Sequence, residues 1–255
     1  MQDWLVATAN DQIACIDDNE DEARLGYLSS FRQRLEAAVT PAHLERADAE
    51  VAALRDGYVD LSTWCLTKFA HLIFAVDFGA ALADLFTPRW YGGAAVKQMV
   101  ATLDEYVADY RQVLHHSLVD VFVEILADEL LARYLAAVRN RGARLRRADP
   151  FRDKLFDDVA TVFDFFAAAL PNPDAVKQTW RATEPFLRLL DADRDAVPDA
   201  FEAFKAAYWD LQLSWVEAVL RARDDFDRAM LNAVKARAAR LDVVRGPETI
   251  MGRIK

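Results

Sequence analysis

Apolar positions in this chain recur in steps of three and four along almost its whole length, and nowhere do apolar and polar residues alternate long enough to make a convincing strand. The pattern predicts an all-α protein. Its clearest stretch is Phe201, Phe204, Tyr208, Leu211, Trp215, Ala218 and Ala222, a seam that reads as one continuous helix. Trp209, Leu213, Val216 and Leu220 form a second seam on the same stretch, which predicts burial on two sides within a bundle. Val121, Phe122, Ile125, Leu126, Leu130 and Leu135 behave alike between Leu118 and Val138. The most hydrophobic region, Leu61 to Phe86, is interrupted by Lys68, His71, Asp77 and Asp84, so it is expected to be a buried helix rather than a membrane span.

Helix breakers divide the pattern into about eight segments. "TPAH" at Thr40 offers a cap followed by proline at the first helical position, and "TPRWYGG" (Thr87 to Gly93) reads as an interior loop. "RNRGARLRRADP" (Arg139 to Pro150) ends a long helix on glycine, and "LPNPD" (Leu170 to Asp174) and "DADRDAVP" (Asp191 to Pro198) separate later helices. Four helices before residue 145 and four after it give two consecutive antiparallel bundles, 1–145 and 146–255. The closing "RGPETIMGRIK" contains Gly246 and Pro247, so the last helix should end before it and the tail is expected to be mobile. No internal repeat at a fixed period and no low-complexity segment is visible.

Composition supports the helical reading. With 255 residues, 53% of them apolar, the chain can bury a large core, and eight glycines and eight prolines are few for a loop-rich β architecture. Cys15 and Cys65 are too few for a disulfide framework and lack metal-ligand spacing, which points to reduced thiols in a cytoplasmic protein. The acidic start "MQDW" is not followed by an apolar core of a signal peptide. The net charge of −10 is uneven: residues 1–130 carry 9 basic and 22 acidic side chains, and residues 131–255 carry 22 basic and 19 acidic. A balance of −13 and +3 argues against nucleic acid as a partner, because that affinity comes from neutralising phosphates, yet it leaves room for one local basic patch.

Candidate chemistry is sparse. There is no glycine-rich phosphate loop, nucleophile elbow or His-Glu-x-x-His signature, and adjacent His115 and His116 would point about 100° apart on a helix. No catalytic residue or cofactor site is therefore assigned. Two acidic patterns suggest metal. "DADRDAVPDAFE" places Asp191, Asp193, Asp195, Asp199 and Glu202 at positions 1, 3, 5, 9 and 12 of an EF-hand-like loop, the oxygen spacing a calcium ion needs. Ala196 stands where that loop requires glycine and Pro198 follows, so an ordinary acidic interhelical turn explains the same residues. "DDNED" (Asp17, Asp18, Asp21) has the spacing with which helical terpene synthases hold magnesium diphosphate, but the second motif such a site needs on a facing helix is missing. The basic run Arg139, Arg141, Arg144, Arg146 and Arg147 is a candidate site for acidic lipid head groups or an acidic partner helix. The same run could simply complement a helix C-terminus.

The stretch "ELLARYLAAVRNRGARLRRADPFRDKLFDDVATVFDFF" (Glu129 to Phe166) resembles the C-terminal region of the Sec-six subunit of the exocyst, especially its fungal versions. "YWDLQLSWVEAVLRARDDFDRAMLNAVKARAARL" (Tyr208 to Leu241) and "RGPETIM" (Arg245 to Met251) look like the end of the same subunit, with weaker similarity in "LFTPRWYGG" and "MVATLDEYVADY". The resemblance implies part of a longer chain folded as an elongated rod of stacked helical bundles, as in multisubunit tethering complexes. It implies a non-enzymatic scaffold that tethers secretory vesicles to the plasma membrane before SNARE-mediated fusion. Its implied partners are other exocyst subunits and SNARE or SNARE-regulating proteins, and its implied location is cytoplasmic and peripheral at sites of secretion.

Overall fold

Helices make up 74% of the computed structural model, which describes residues 2–18 and 25–254. In chain order they are α1 (Gln2–Ala14), α2 (Tyr27–Glu36), α3 (Pro41–Val76), α4 (Gly79–Asp84), α5 (Pro88–Gly92), α6 (Ala95–Tyr110), α7 (His116–Ala136), α8 (Phe151–Ala169), α9 (Asp174–Trp180), α10 (Thr183–Asp191), α11 (Val197–Ala207), α12 (Leu213–Ala222) and α13 (Arg228–Ala238). Short 3-10 turns cover Ala137–Arg139, Arg194–Ala196 and Ile250–Arg253. Among the described residues there is no strand, only one isolated bridge between Leu145 and Arg223. The protein is all-α, with more and shorter helices than the eight segments its breakers suggest.

Two compact units share the chain. The first comprises residues 1–73 and 106–125, the second 74–105 and 126–255, so the division expected near residue 145 falls inside the second unit. In the first unit, Leu5, Val6, Ala9 and Ile13 of α1 are buried, as are Cys65, Leu66, Phe69 and Ala70 of α3. Phe69 stacks on Phe122 at 5.2 Å and meets Tyr110 edge-on at 4.6 Å. Asn10 joins α1 to the α6–α7 turn twice, its amide donating to the Val113 carbonyl and its carbonyl accepting from the His115 N–H, both at 2.8 Å. By length and composition α3 could cross a membrane. In this fold 39% of its most apolar stretch is buried, and the helix ends at Val76, before the Phe86 limit of the apolar run.

The second unit is built on aromatic side chains. Phe86 lies 4.9 Å from Trp90, 5.1 Å from Tyr134 and 5.8 Å from Phe186, and Trp215 extends the cluster from Phe186 to Phe204. Edge-to-face rings of this kind add stability beyond their buried area. The indole N–H groups, which would be costly to bury unpaired, reach helix carbonyls: Trp215 donates to Leu135 at 2.8 Å and Trp180 to Ala127 at 3.3 Å. Phe86 takes a left-handed backbone at φ 61°, which costs a non-glycine residue about 1–2 kcal/mol. Its surroundings hold it there: the Arg144 N–H donates to the Phe86 carbonyl at 2.9 Å, and the Asn140 amide donates to the Leu82 and Leu85 carbonyls.

Three sequence expectations change. "TPRWYGG" is not a loop but the short helix α5, capped by the Thr87 hydroxyl, which accepts from the Arg89 N–H, and it points Trp90 into the core. The seam from Phe201 to Ala222 does not follow one continuous helix. α11 stops before Tyr208, whose φ of −132° and ψ of 85° are not helical, and α12 begins at Leu213. The seam residues Phe201, Phe204, Leu211, Trp215 and Ala222 are all buried even so. The Lys205 ammonium stabilises the break by donating to the carbonyls of Trp209 and Leu211.

The third change concerns the tail, which docks. Ile250, Met251 and Ile254 are buried. The Trp209 indole donates to the Pro247 carbonyl at 2.7 Å, and the Asp210 carboxylate accepts the Thr249 N–H at 2.6 Å and its hydroxyl at 2.5 Å. Arg253 pairs with Asp128 at 2.9 Å and Glu129 at 3.3 Å on α7. Burial pushes the Asp128 carboxyl up, and Arg253 opposes that rise. The broken helix and the docked tail are one feature, since the residues freed by the break are those the tail engages.

Candidate interaction site

The arginine run divides into structural and surface members. The 3-10 turn that ends α7 stops at Arg139, and Gly142 at φ 90° reverses the chain, so the residues from Arg141 onward lie in the α7–α8 connection beyond the helix. A macrodipole acts only within the last turn, which leaves Arg144, Arg146 and Arg147 outside its reach. Arg139 is half-buried, with its guanidinium 3.5 Å from the Ser214 hydroxyl. Arg147 ties down the neighbouring turn: it donates to the Ala192 carbonyl at 2.7 Å and pairs with Asp193 at 2.9 Å and Asp225 at 3.8 Å. Arg141, Arg144 and Arg146 are exposed, and among the described residues no carboxylate lies within ion-pairing distance of them. Leu145, between the last two, is buried, and its N–H donates to the Ala222 carbonyl at 2.8 Å, which fixes this segment's backbone. Close by, the Tyr91 hydroxyl is buried without a hydrogen-bond partner. Burial, with Asp149 adding to it, pushes its pKa up to about 12.

The calcium reading is corrected by what the acids hold. Asp191 pairs with Arg152, Asp193 with Arg147, and Asp199 and Glu202 both with Arg237. Asp199 and Glu202 also stand on α11 rather than on a loop, because Pro198 sits at the start of that helix. Buried Arg223 completes the turn by donating to the carbonyls of Leu189 at 2.8 Å and Ala192 at 2.7 Å. Among the described residues no group of three or more His, Cys, Asp or Glu side chains converges as metal ligands. The segment is an interhelical turn clasped by arginines.

"DDNED" is described only at Asp17 and Asp18; Asn19 to Asp21 lie outside the described residues. Asp18 accepts from the Gly26 N–H at 2.8 Å and the Ser29 hydroxyl at 2.7 Å, and the Ser29 bond leads in holding its carboxyl below the usual range. Asp17 lies 3.2 Å from the His115 ring. Both described acids thus fasten the first unit. Asp158 was singled out by nothing in the sequence, yet it is buried in the second unit as the shared acceptor of Trp90, Tyr134 and Lys154.

These features define an all-α protein whose polar groups are spent on holding helices together and whose unpaired charges lie on its surface. A family model described as "Exocyst complex component Sec6" matches residues 1–228, and the chain belongs to that family. It is similar to exocyst complex component sec6 of Schizosaccharomyces pombe, with 27% identity over 246 residues that cover 96% of this chain and 30% of that protein. It is also similar to exocyst complex component SEC6 of Saccharomyces cerevisiae, with 20% identity over 227 residues, 88% of this chain and 27% of that one. The chain therefore spans about a third or less of these relatives. The crystal structure of the C-terminal domain of the exocyst subunit Sec6p shares the fold, with a TM-score of 0.80, 19% identity and coverage of 100% of this chain and 64% of that one.

Proposed function

We propose that the chain is a non-enzymatic scaffold region of an exocyst subunit, acting in the cytoplasm and peripherally at the plasma membrane, where it helps tether secretory vesicles before SNARE-mediated fusion. The family match over residues 1–228 carries this reading. The fold fits it, because helix faces without catalytic equipment work by docking other helices. Its partners on this reading are other exocyst subunits and SNARE or SNARE-regulating proteins. Affinity purification of the tagged full-length protein from its own cells, in low-salt buffer, tests the assignment. The other exocyst subunits are expected in similar amounts, and their absence from a folded, soluble preparation overturns it.

The run Arg139, Arg141, Arg144, Arg146 and Arg147 is proposed as the chain's anionic contact, with Arg141, Arg144 and Arg146 meeting the ligand and Arg147 holding the segment in place. Changing Arg141, Arg144 and Arg146 to Glu should abolish binding to phosphatidylserine vesicles, or to a Glu-rich helical peptide without an apolar face if that is the natural source of the charge. Helicity by circular dichroism should stay intact, since none of the three supports the fold. Unchanged binding to both probes at low salt would remove the run from the interaction surface.

A further inference from the structure

One groove in the second unit joins an apolar wall to a basic one. It has a volume of about 540 Å³ and lies between α8 and the α9–α10 pair. Leu155, Trp180 and Thr183 are buried beneath it. Phe156, Val159 and Phe163 recur at helical spacing along its α8 side. Phe156 is 58% exposed and is the one largely exposed aromatic among the described residues of this unit. A side chain with that much exposed apolar area is the usual kind of anchor for a partner.

The opposite wall is charged. Lys177, Arg181 and Arg188 line it together with Glu184, all four exposed and none in an ion pair among the described residues. Arg181 donates a hydrogen bond to Gln178 at 2.9 Å. Three cations against one acid are therefore left unneutralised on a chain whose net charge is −10. Other arginines of the same unit, Arg152, Arg194 and Arg237, each have an acidic partner, whereas Arg141, Arg144 and Arg146 of the α7–α8 connection have none among the described residues.

We propose that this groove docks an amphipathic helix of a partner protein. The helix lays its apolar face on Phe156, Val159, Phe163 and Leu187 and turns an acidic flank toward Lys177, Arg181 and Arg188. Charge complementarity selects this occupant: a basic or purely apolar helix would leave the three cations uncompensated, and like charges across an interface disfavour binding. The span from Phe156 to Phe163 is about two helical turns, so an occupant of about three turns covers it. Docking here does not depend on exocyst assembly, because it is a property of this chain alone.

The test uses the purified chain and fluorescent helical peptides with one leucine face, flanked by Glu in one peptide and by Lys in the other. Anisotropy should show the Glu peptide binding at least about tenfold tighter than the Lys peptide. Arg181→Glu with Arg188→Glu should reverse that order, a gain of Lys-peptide binding that a misfolded variant cannot produce. Phe156→Ala should weaken both peptides in either charge background. Equal binding of the two peptides, an order that the double substitution leaves unchanged, or a response seen only with phosphatidylserine vesicles would each overturn the proposal. Failure here, with exocyst subunits still recovered from cells, would leave the tethering reading standing without this groove.

Discussion

Asp158→Ala is expected to destabilise the second unit by about 3–5 kcal/mol, the range seen when one partner of a buried charged network is removed. The Asp158 residue is only 2% exposed. Its carboxylate accepts the Trp90 indole N–H at 2.7 Å, the Tyr134 hydroxyl at 3.1 Å and the Lys154 ammonium at 2.6 Å. Deleting the carboxylate leaves an ammonium, an indole N–H and a phenol without their acceptor, and the penalty for unsatisfied buried donors exceeds the net worth of the bonds themselves. Burial, followed by the neighbouring Asp158 charge, raises the Tyr134 phenol well above its ordinary range, so that hydroxyl stays a donor throughout the accessible pH range. Urea unfolding followed by tryptophan fluorescence measures the loss. Asp158→Asn keeps an acceptor and should cost clearly less, and equal costs for the two variants would show that the charge, not the acceptor geometry, does the holding.

Which parts of this structure were legible in the sequence follows from what periodicity encodes. Spacings of three and four mark the face a residue will bury, so the all-α class and the burial of Phe201, Phe204, Leu211 and Trp215 could be read directly. Periodicity does not encode continuity. The break at Tyr208 to Gln212 preserves the register of the seam, and the groups that stabilise it, Lys205 from within and Thr249 from the tail, are ordinary surface types in sequence. The docking of the tail is hidden in the sequence for a related reason. Gly246 and Pro247 do end helical structure, but "TIMGRI" hides three apolar positions that dock without a helix of useful length.

The surface was less legible than the core. A run of five arginines looks uniform along the chain, and only tertiary pairing separates Arg147, which fastens the turn, from Arg141, Arg144 and Arg146, which face solvent. The acids of "DADRDAVPDAFE" match calcium spacing, yet their partners Arg147, Arg152 and Arg237 lie 35 to 46 residues away in sequence. Motif spacing lists ligands for an ion without showing that arginines have already taken them. The resemblance to the exocyst subunit, by contrast, came from extended stretches of sequence. It identified the family without locating a site.

Replacing Arg223 with Met should cost the second unit about 3–5 kcal/mol, again because a buried charge network loses its centre. The Arg223 side chain is 2% exposed, and its guanidinium donates to the Leu189 and Ala192 carbonyls and to both oxygens of Asp225 at 2.8 Å. Methionine fills similar space but satisfies none of those acceptors. The pH dependence should change as well. The Arg223 hydrogen bonds hold the Asp225 carboxyl below its usual range, so the stability this pair contributes is full above the unfolded carboxylate pKa, near 4. It is lost as pH falls through the lower folded value. Urea unfolding between neutral pH and about pH 3 should therefore show a steeper acid loss in the native chain than in Arg223→Met. Parallel curves would mean that Arg147, 3.8 Å from the same carboxylate, sets its titration, and that the turn is held from the α7–α8 connection rather than from the end of α12.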